Sequence, residues 1–380
     1  MLIAKHAKMA YRVQEVSSRR DLKRFVRFPD RLYEHCPQYV PALHSDQVNA
    51  LTRVSSLSYC TRKMWLVLDG DRVAGRICAM VNPRYNERYG TRRARFGWFD
   101  TVNDFEVARL LLETAEAWAK EQGMDEIHGP LYYNTLGKQG MLTEGFDHIP
   151  PFNCLYNYPY YNDFVTRLGY EKECDWVQYL LRVDTSLPEK TFRVAEMVRE
   201  RYRLRPGSID ALKKDPEKVR KFFQAYNESF ASSVHNFIPF TEEEIGEEAK
   251  AMLPFVSDKV SNVLYDEDGE VAAFGIALPS ISKGLQKARG HLFPSGWIHL
   301  LRAMHDYETI DLMINGATPK WQHKGISAVY IIDIVEKARK MGVKWAVTNP
   351  QIENNSAVNI WNAYERDPFM KRRCYRKQIK

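Results

Sequence analysis

The chain has 380 residues, 44% hydrophobic and 27% charged, which is enough apolar content for two buried cores and too much for a disordered or collagen-like chain. Its 55 Lys and Arg stand against 48 Asp and Glu, a net +7 spread along the sequence; this suits anionic small molecules and does not call for a nucleic-acid partner. The longest apolar run, 328–332, ends at Asp333, far short of the roughly 20 residues of a membrane span, so no membrane partner is expected. Six cysteines lie apart without a Cys-x-x-Cys pair, and no apolar leader follows Lys5 and Lys8. The reading is a cytoplasmic protein with free thiols.

A strand is predicted over 11–16, followed by helical segments. Residues 66–77 read as a hairpin, with Asp69-Gly70 supplying the positive φ of its turn. A helix over 106–122 ends at Gly123, the position after a helix where glycine is least strained, and a strand over 124–128 follows. Residues 129–161 hold Tyr132, Tyr133, Tyr156, Tyr158, Tyr160 and Tyr161. Two readings stay open: they line an acceptor pocket, or they bind two halves together. A Ser/Pro turn over 184–188 divides the chain into domains 1–185 and 186–380.

The second half repeats the theme. A helix over 189–202, a strand-like run over 202–209 and a helix over 216–230 lead to a hairpin over 263–274 that turns at Gly269. Residues 282–307 have no counterpart in the first half. A strand then runs to Gly316, and a helix over 326–341 ends at Gly342 before a strand over 343–348. Lys371, Arg372, Arg373, Arg376 and Lys377 are expected on a solvated last strand. The chain lacks the glycine-rich dinucleotide fingerprint, the P-loop, the zincin motif and the nucleophile elbow, and its histidines do not pair at metal-ligand spacing; no metal is expected.

The loop between Gly316 and Ile326 carries the chemistry. A helix start with Gly325, Ser327 and Ala328 offers free N–H groups, the positive end of a dipole and room for an anion. His323, Lys324 and Lys320 are at hand for further phosphate oxygens.

Gln322-His323-Lys324-Gly325-Ile326-Ser327 resembles the [Q/R]-x-x-G-x-[G/A] turn of the GNAT superfamily of acyl-CoA N-acyltransferases, matching at Gln322 and Gly325 and departing at Ser327. The Asn-x-x-Ala pattern at Asn354 and the proline- and tyrosine-rich segments resemble a bacterial group with two tandem GNAT-like domains. The resemblance implies an α/β (mixed α+β) fold of two tandem units, each a mixed, mostly antiparallel sheet flanked by helices. It implies acetyl-CoA or another acyl-CoA as co-substrate, held by Ile314, Gln322, His323, Lys324, Gly325, Ile326 and Ser327. Asn354 and Asn355 would lie beside the pantetheine arm, or else cap the helix that follows.

Members of the family place a tyrosine on that helix to protonate the leaving thiolate. Counting from Asn354 reaches Trp361, so Tyr364, one turn later, takes the role, with a packed core aromatic as the alternative. Asp311, near Glu308 on the preceding strand, is the candidate base for a small-molecule or peptide amine acceptor; it faces the cleft or solvent. In the first half the matching loop, 99–105, lacks the turn, and Asn103 or Asp104 caps its helix, so that unit reads as a degenerate copy. The leading function is N-acyl transfer by direct attack of an amine on the thioester. A catalytically silent binding protein and an aminoacyl-tRNA-dependent transferase are the alternatives.

Overall fold

Two hairpins set the frame. The computed structural model describes residues 11–185, 188–231, 236–354, 361 and 364–379. In the first half, β1 (Arg12–Glu15) leads through helices α1 (Arg19–Leu32) and α2 (His44–Thr52) to the hairpin β2 (Thr61–Asp69) and β3 (Arg72–Val81). Then come α3 (Pro83–Tyr89), β4 (Arg93–Thr101), α4 (Phe105–Glu121), β5 (Glu126–Gly129), β6 (Met141–Glu144), α5 (Tyr160–Arg167) and β7 (Glu171–Arg182).

The second half opens with α6 (Glu189–Arg201), β8 (Arg205–Gly207), α7 (Ile209–Leu212), α8 (Pro216–Phe230) and α9 (Glu242–Met252). Its hairpin is β9 (Asn262–Tyr265) and β10 (Val271–Pro279), followed by α10 (Ser282–Ala288) and α11 (Gly296–Met304). The chain ends through β11 (Thr309–Ala317), α12 (Ile326–Lys340), β12 (Trp345–Val347), β13 (Gln351–Ile352) and β14 (Arg366–Gln378). The predicted helices 106–122 and 326–341 are α4 and α12 to within a residue. Of the predicted run 202–209 only β8 is strand, because Tyr202 still closes α6.

One sheet runs through both halves in the order β1-β2-β3-β4-β5-β14-β7-β12-β11-β10-β9-β8. Pairing is antiparallel except for β4–β5 and β11–β12, the parallel pairs closed by α4 and α12. At the centre the halves exchange strands: β14, from the end of the chain, pairs β5 of the first half, and β7 pairs β12 of the second. The helices cover both faces, giving four large apolar clusters and a small fifth one of Leu131, Cys174, Trp176 and Cys374 rather than a single core.

This exchange corrects the expectation of a solvated last strand. Arg372 is fully buried; its guanidinium donates to Gln178 Oε1 at 3.2 Å and to the Leu155 carbonyl. On the neighbouring positions Lys371 and Arg373 reach the buried Asp175 of β7, at 3.2 and 2.7 Å. Those cations and Lys172 hold the Asp175 carboxyl down at about 2 against the pull of burial. A run of basic residues thus forms the seam between the halves, because an acidic residue from β7 lies across from it.

Both halves use a glycine to seat a helix on the second hairpin strand. A Cβ on Gly75 would lie 2.7 Å from Leu111 and 2.8 Å from Val107 of α4; one on Gly275 would lie 2.4 Å from Ile334 of α12. Gly275→Val is expected to lower stability by about 1–3 kcal/mol through overpacking, read as a lower melting temperature by circular dichroism. An unchanged melting temperature would mean that α12 does not sit this close.

The six tyrosines of 129–161 do neither of the two things expected of them as a set. Tyr156, Tyr158, Tyr160 and Tyr161 pack with Tyr33 inside the first half. There the Tyr33 hydroxyl donates to Asp100 at 3.0 Å, and Arg76 pairs with the same carboxylate at 2.7 Å. Tyr132 alone of the six lines the cleft described next.

Candidate functional site

The parallel pairing of β11 with β12 lasts only from Thr309↔Trp345 to Asp311↔Val347, although β11 continues to Ala317. The cause lies on the other side of β12. Thr348 donates its N–H to the Tyr179 carbonyl and accepts from the Tyr179 N–H through Oγ1, both at 2.9 Å. Gln178 holds the Thr348 carbonyl at 3.0 Å, and β13 then pairs with β7. The chain follows β7 away from β11, and a notch opens between the strands. Asn315 and Gly316 form one lip, Asn349 and Pro350 the other.

At the end of β11 the helix α12 begins at Gly325, which takes a left-handed φ of +76° and leaves the first N–H groups without a side-chain cap. A side chain there is strained, and glycine is not. Gln322 is fixed by donating to the carbonyls of Ser229 and Ala317, at 3.1 and 3.0 Å. Lys320, expected as a phosphate ligand, instead pairs with Asp266 at 2.8 Å.

The corresponding turn of the first half is closed twice over. Asp104 caps α4, accepting from the Glu106 N–H at 2.9 Å, so a carboxylate occupies the helix start. The notch between β4 and β5 is filled by the chain itself: Leu131 N–H donates to the Phe96 carbonyl at 2.8 Å, and a Cβ on Gly97 would meet the Leu131 oxygen at 2.5 Å. Of the two cap candidates, Asp104 rather than Asn103 takes the position.

Notch and helix start open into a cleft of about 1370 Å³ between the halves. Ile314, Gln322, His323, Gly325, Ile326, Ser327 and Asn354 line it. Lys324 does not, and stands exposed over the Trp321 ring at 5.1 Å; Asn355 falls outside the described residues. Opposite stand Lys138, Gln139, Cys154 and Trp176 from the first half, and one branch is apolar, with Leu278, Leu285, Leu300, Met252 and Met304. The inserted pair α10–α11 closes this branch and is tied to the first half. Gln286 donates to the Pro37 carbonyl at 2.7 Å, Ser282 to that of Pro150 at 2.8 Å, and the Gly290 carbonyl accepts from the His44 N–H at 2.8 Å.

Among the titratable groups displaced here, Asp311, Glu248 and Lys138 are brought near neutrality. Asp311, 2% exposed, has one carboxylate oxygen with no partner, and burial pushes its pKa up to about 7 against a hydrogen bond with Ser280. It faces neither open cleft nor solvent but lies beneath the cleft wall, within electrostatic reach of Cys154. Glu248, on α9 and lining the cleft, is also raised by burial to about 7, opposed by a hydrogen bond from Asn134. Lys138, which donates to the Cys154 carbonyl at 3.2 Å, is lowered by burial to about 8.

Tyr364 is not among the cleft residues. It is 9% exposed and packs 5.8 Å from Trp361 around a separate cavity of about 30 Å³. Tyr330 of α12 lines both spaces, and its hydroxyl accepts from Asn315 at 3.4 Å. Glu248, Lys138 and Tyr330 were not found from the sequence; only Tyr330 carried a signal, one turn beyond Ile326 on the same helix. Among the described residues, His128, Glu173 and Cys374 have ligand atoms within 4.8 Å of one another, but the Arg93 guanidinium already pairs with Glu173 at 3.1 Å.

Solved structures carry the same architecture end to end. A tandem GNAT protein from the clavulanic acid biosynthesis pathway superposes with a TM-score of 0.57 at 11% identity, over 98% of this chain and 99% of that one. The chain has the tandem GNAT fold. A GCN5-related N-acetyltransferase from Sphaerobacter thermophilus gives a TM-score of 0.53 at 11% identity, covering 97% and 96%. No protein-family model matches the sequence. Among curated proteins, YghO of Escherichia coli K12 is 28% identical over 386 residues, 97% of this chain and 95% of that one. The bacterial ceramide synthase of Caulobacter vibrioides is 28% identical over 289 residues, 74% of this chain and 73% of that one. The GNAT fold fits the notch, the uncapped helix start and the mixed sheet. Among the described residues no helix is long and apolar enough to cross a membrane.

Proposed function

We propose that this tandem GNAT protein is an N-acyltransferase that moves an acyl group from CoA to an amine carrying an apolar chain. The observation that carries this reading is the joining of an open β11–β12 notch and an uncapped α12 start to a long cleft with an apolar branch. The N–H groups after Gly325 hold the pyrophosphate, while the lips of the notch pair with the amides of the pantetheine arm. A CoA thioester supplies an activated acyl carbon at the end of the notch. As the amine nitrogen bonds to that carbon and the C–S bond breaks, the amine proton passes to a carboxylate of the cleft wall, Asp311 beneath it or Glu248 on its lining. Tyr330, whose hydroxyl is held by Asn315 at the cleft, gives its proton to the thiolate; Tyr364 packs behind it.

The apolar branch supports a long-chain acceptor, as does the relative named a ceramide synthase, ceramide being an N-acylated long-chain amino alcohol. CoA and acyl-CoA are expected to raise the melting temperature, by the equivalent of about 2.7 kcal/mol at 100 times the Kd, and ATP and NAD to do so less. Thiol release should grow along a series from ethanolamine to a long-chain amino alcohol. No melting shift at millimolar CoA removes this reading.

A further inference from the structure

The outer face of the inserted helix pair is apolar, and nothing in the acyl-transfer reading uses it. Phe293, Trp297 and Leu301 are 73%, 42% and 46% exposed, and their spacing of four places Trp297 and Leu301 on one side of α11. Large exposed aromatics in a row are costly on a surface that meets only water. Leu300 and Met304, three and seven residues beyond Trp297, lie beside this stripe on the same face of α11 and line the apolar branch of the cleft, so the apolar arc runs from surface to cleft; Phe255, 48% exposed, likewise stands at both.

Within the helix pair itself the charge has one sign. From Ser282 to His305 there are four cations, Lys283, Lys287, Arg289 and Arg302, and no Asp or Glu. All four are exposed, and none makes an ion pair among the described residues. Elsewhere on this molecule exposed cations commonly find a carboxylate, as Arg92 does with Asp125 and Lys221 with Glu270. An aromatic and aliphatic stripe flanked by unpaired cations is the chemistry of an interfacial helix, with rings at the level of the headgroups and cations on anionic phosphates.

We propose that the α10–α11 pair docks the protein on an anionic lipid surface, lying in the interface without crossing it. The lack of a long apolar run, from which no membrane partner is expected, excludes a spanning helix but not one that lies in the interface. Docking this wall sets the apolar branch of the cleft against the bilayer. The docking itself does not depend on the acyl-transfer reading.

The test is co-sedimentation of the full chain with vesicles of phosphatidylglycerol and phosphatidylethanolamine in equal parts, beside vesicles of phosphatidylcholine alone. The wild type is expected to pellet with the first and stay in solution with the second, and to be released as salt rises. Trp297→Ala with Leu301→Ser, and separately Lys287→Glu with Arg289→Glu, should each cut binding at least tenfold while the melting shift with CoA is kept. That retained shift shows a folded protein and separates this proposal from the function above. Binding that ignores lipid charge, or that survives both double variants, overturns it. So does a dimer of the wild type that Trp297→Ala converts to monomer without any vesicle binding, which would make the stripe a contact between two copies of this chain.

Discussion

Gly325→Glu is expected to abolish CoA binding while the protein stays folded. Gly325 holds a φ of +76° at the start of α12, and its Cβ would lie 3.3 Å from Val198. The backbone strain alone is about 1–2 kcal/mol. The larger effect is electrostatic: under the proposed function a carboxylate at this helix start meets a pyrophosphate, which puts like charges within a few ångströms, about 4 kcal/mol at 4 Å for an effective dielectric near 20. With screening at this exposed turn, a loss of at least about 100-fold in affinity is the expected reading by calorimetry. Asn103→Glu is the control. Asn103 is exposed beside Asp104, where a carboxylate already caps α4, and added negative charge at a helix start is tolerated. Its CoA affinity should match the wild type. If Asn103→Glu also loses CoA, the second half does not hold the nucleotide alone.

Asp311→Asn should trade activity for stability. Burial raises the Asp311 carboxyl from 3.8 to about 7, so in the folded protein it keeps its proton over a range where the unfolded chain has lost it. The sign follows from that difference. Below pH 3.8 both states are protonated; as pH rises towards 7 the folded state loses relative stability, and above 7 the cost of a buried charge is constant. Asparagine cannot ionise, so the variant should be more stable at pH 8, by up to about 4 kcal/mol, with little gain at pH 4. A base must be ionised to take the amine proton, so kcat of the wild type should rise with pH through about 7. The variant should lose that limb and about 100-fold or more in kcat. Glu248 is raised to a similar value, which makes Glu248→Gln the discriminating partner. If the limb disappears there and survives in Asp311→Asn, the base is Glu248.

The elements and the candidate turn were legible because their signals are local. Asp69-Gly70 and Gly269 mark hairpins, and Gly123 and Gly342 end helices, each through a backbone angle that glycine alone adopts without strain. The uncapped helix start at Gly325, with Gln322 before it, could be read for the same reason: it is built from consecutive residues. Asp104 as the cap that closes the first half is likewise a matter of a few neighbouring positions.

What lay beyond the sequence depends on which strand sits beside which. The Lys371–Arg373 run looks solvated in isolation and is central only because β14 crosses to the first half and meets Asp175 of β7. Spacing selects Tyr364 and passes over Tyr330 of α12. Packing on Trp361 draws one into the core, and the end of the β11–β12 pairing leaves the other at the cleft. Glu248 and Lys138 come to the cleft from opposite halves, so the burial that displaces them arises only when the halves meet. Local backbone preference, carried by single residues, fixes hairpins, helix ends and the candidate turn at Gly325; strand order and burial, which sum over contacts far apart in the chain, decide which charged and aromatic side chains reach the cleft.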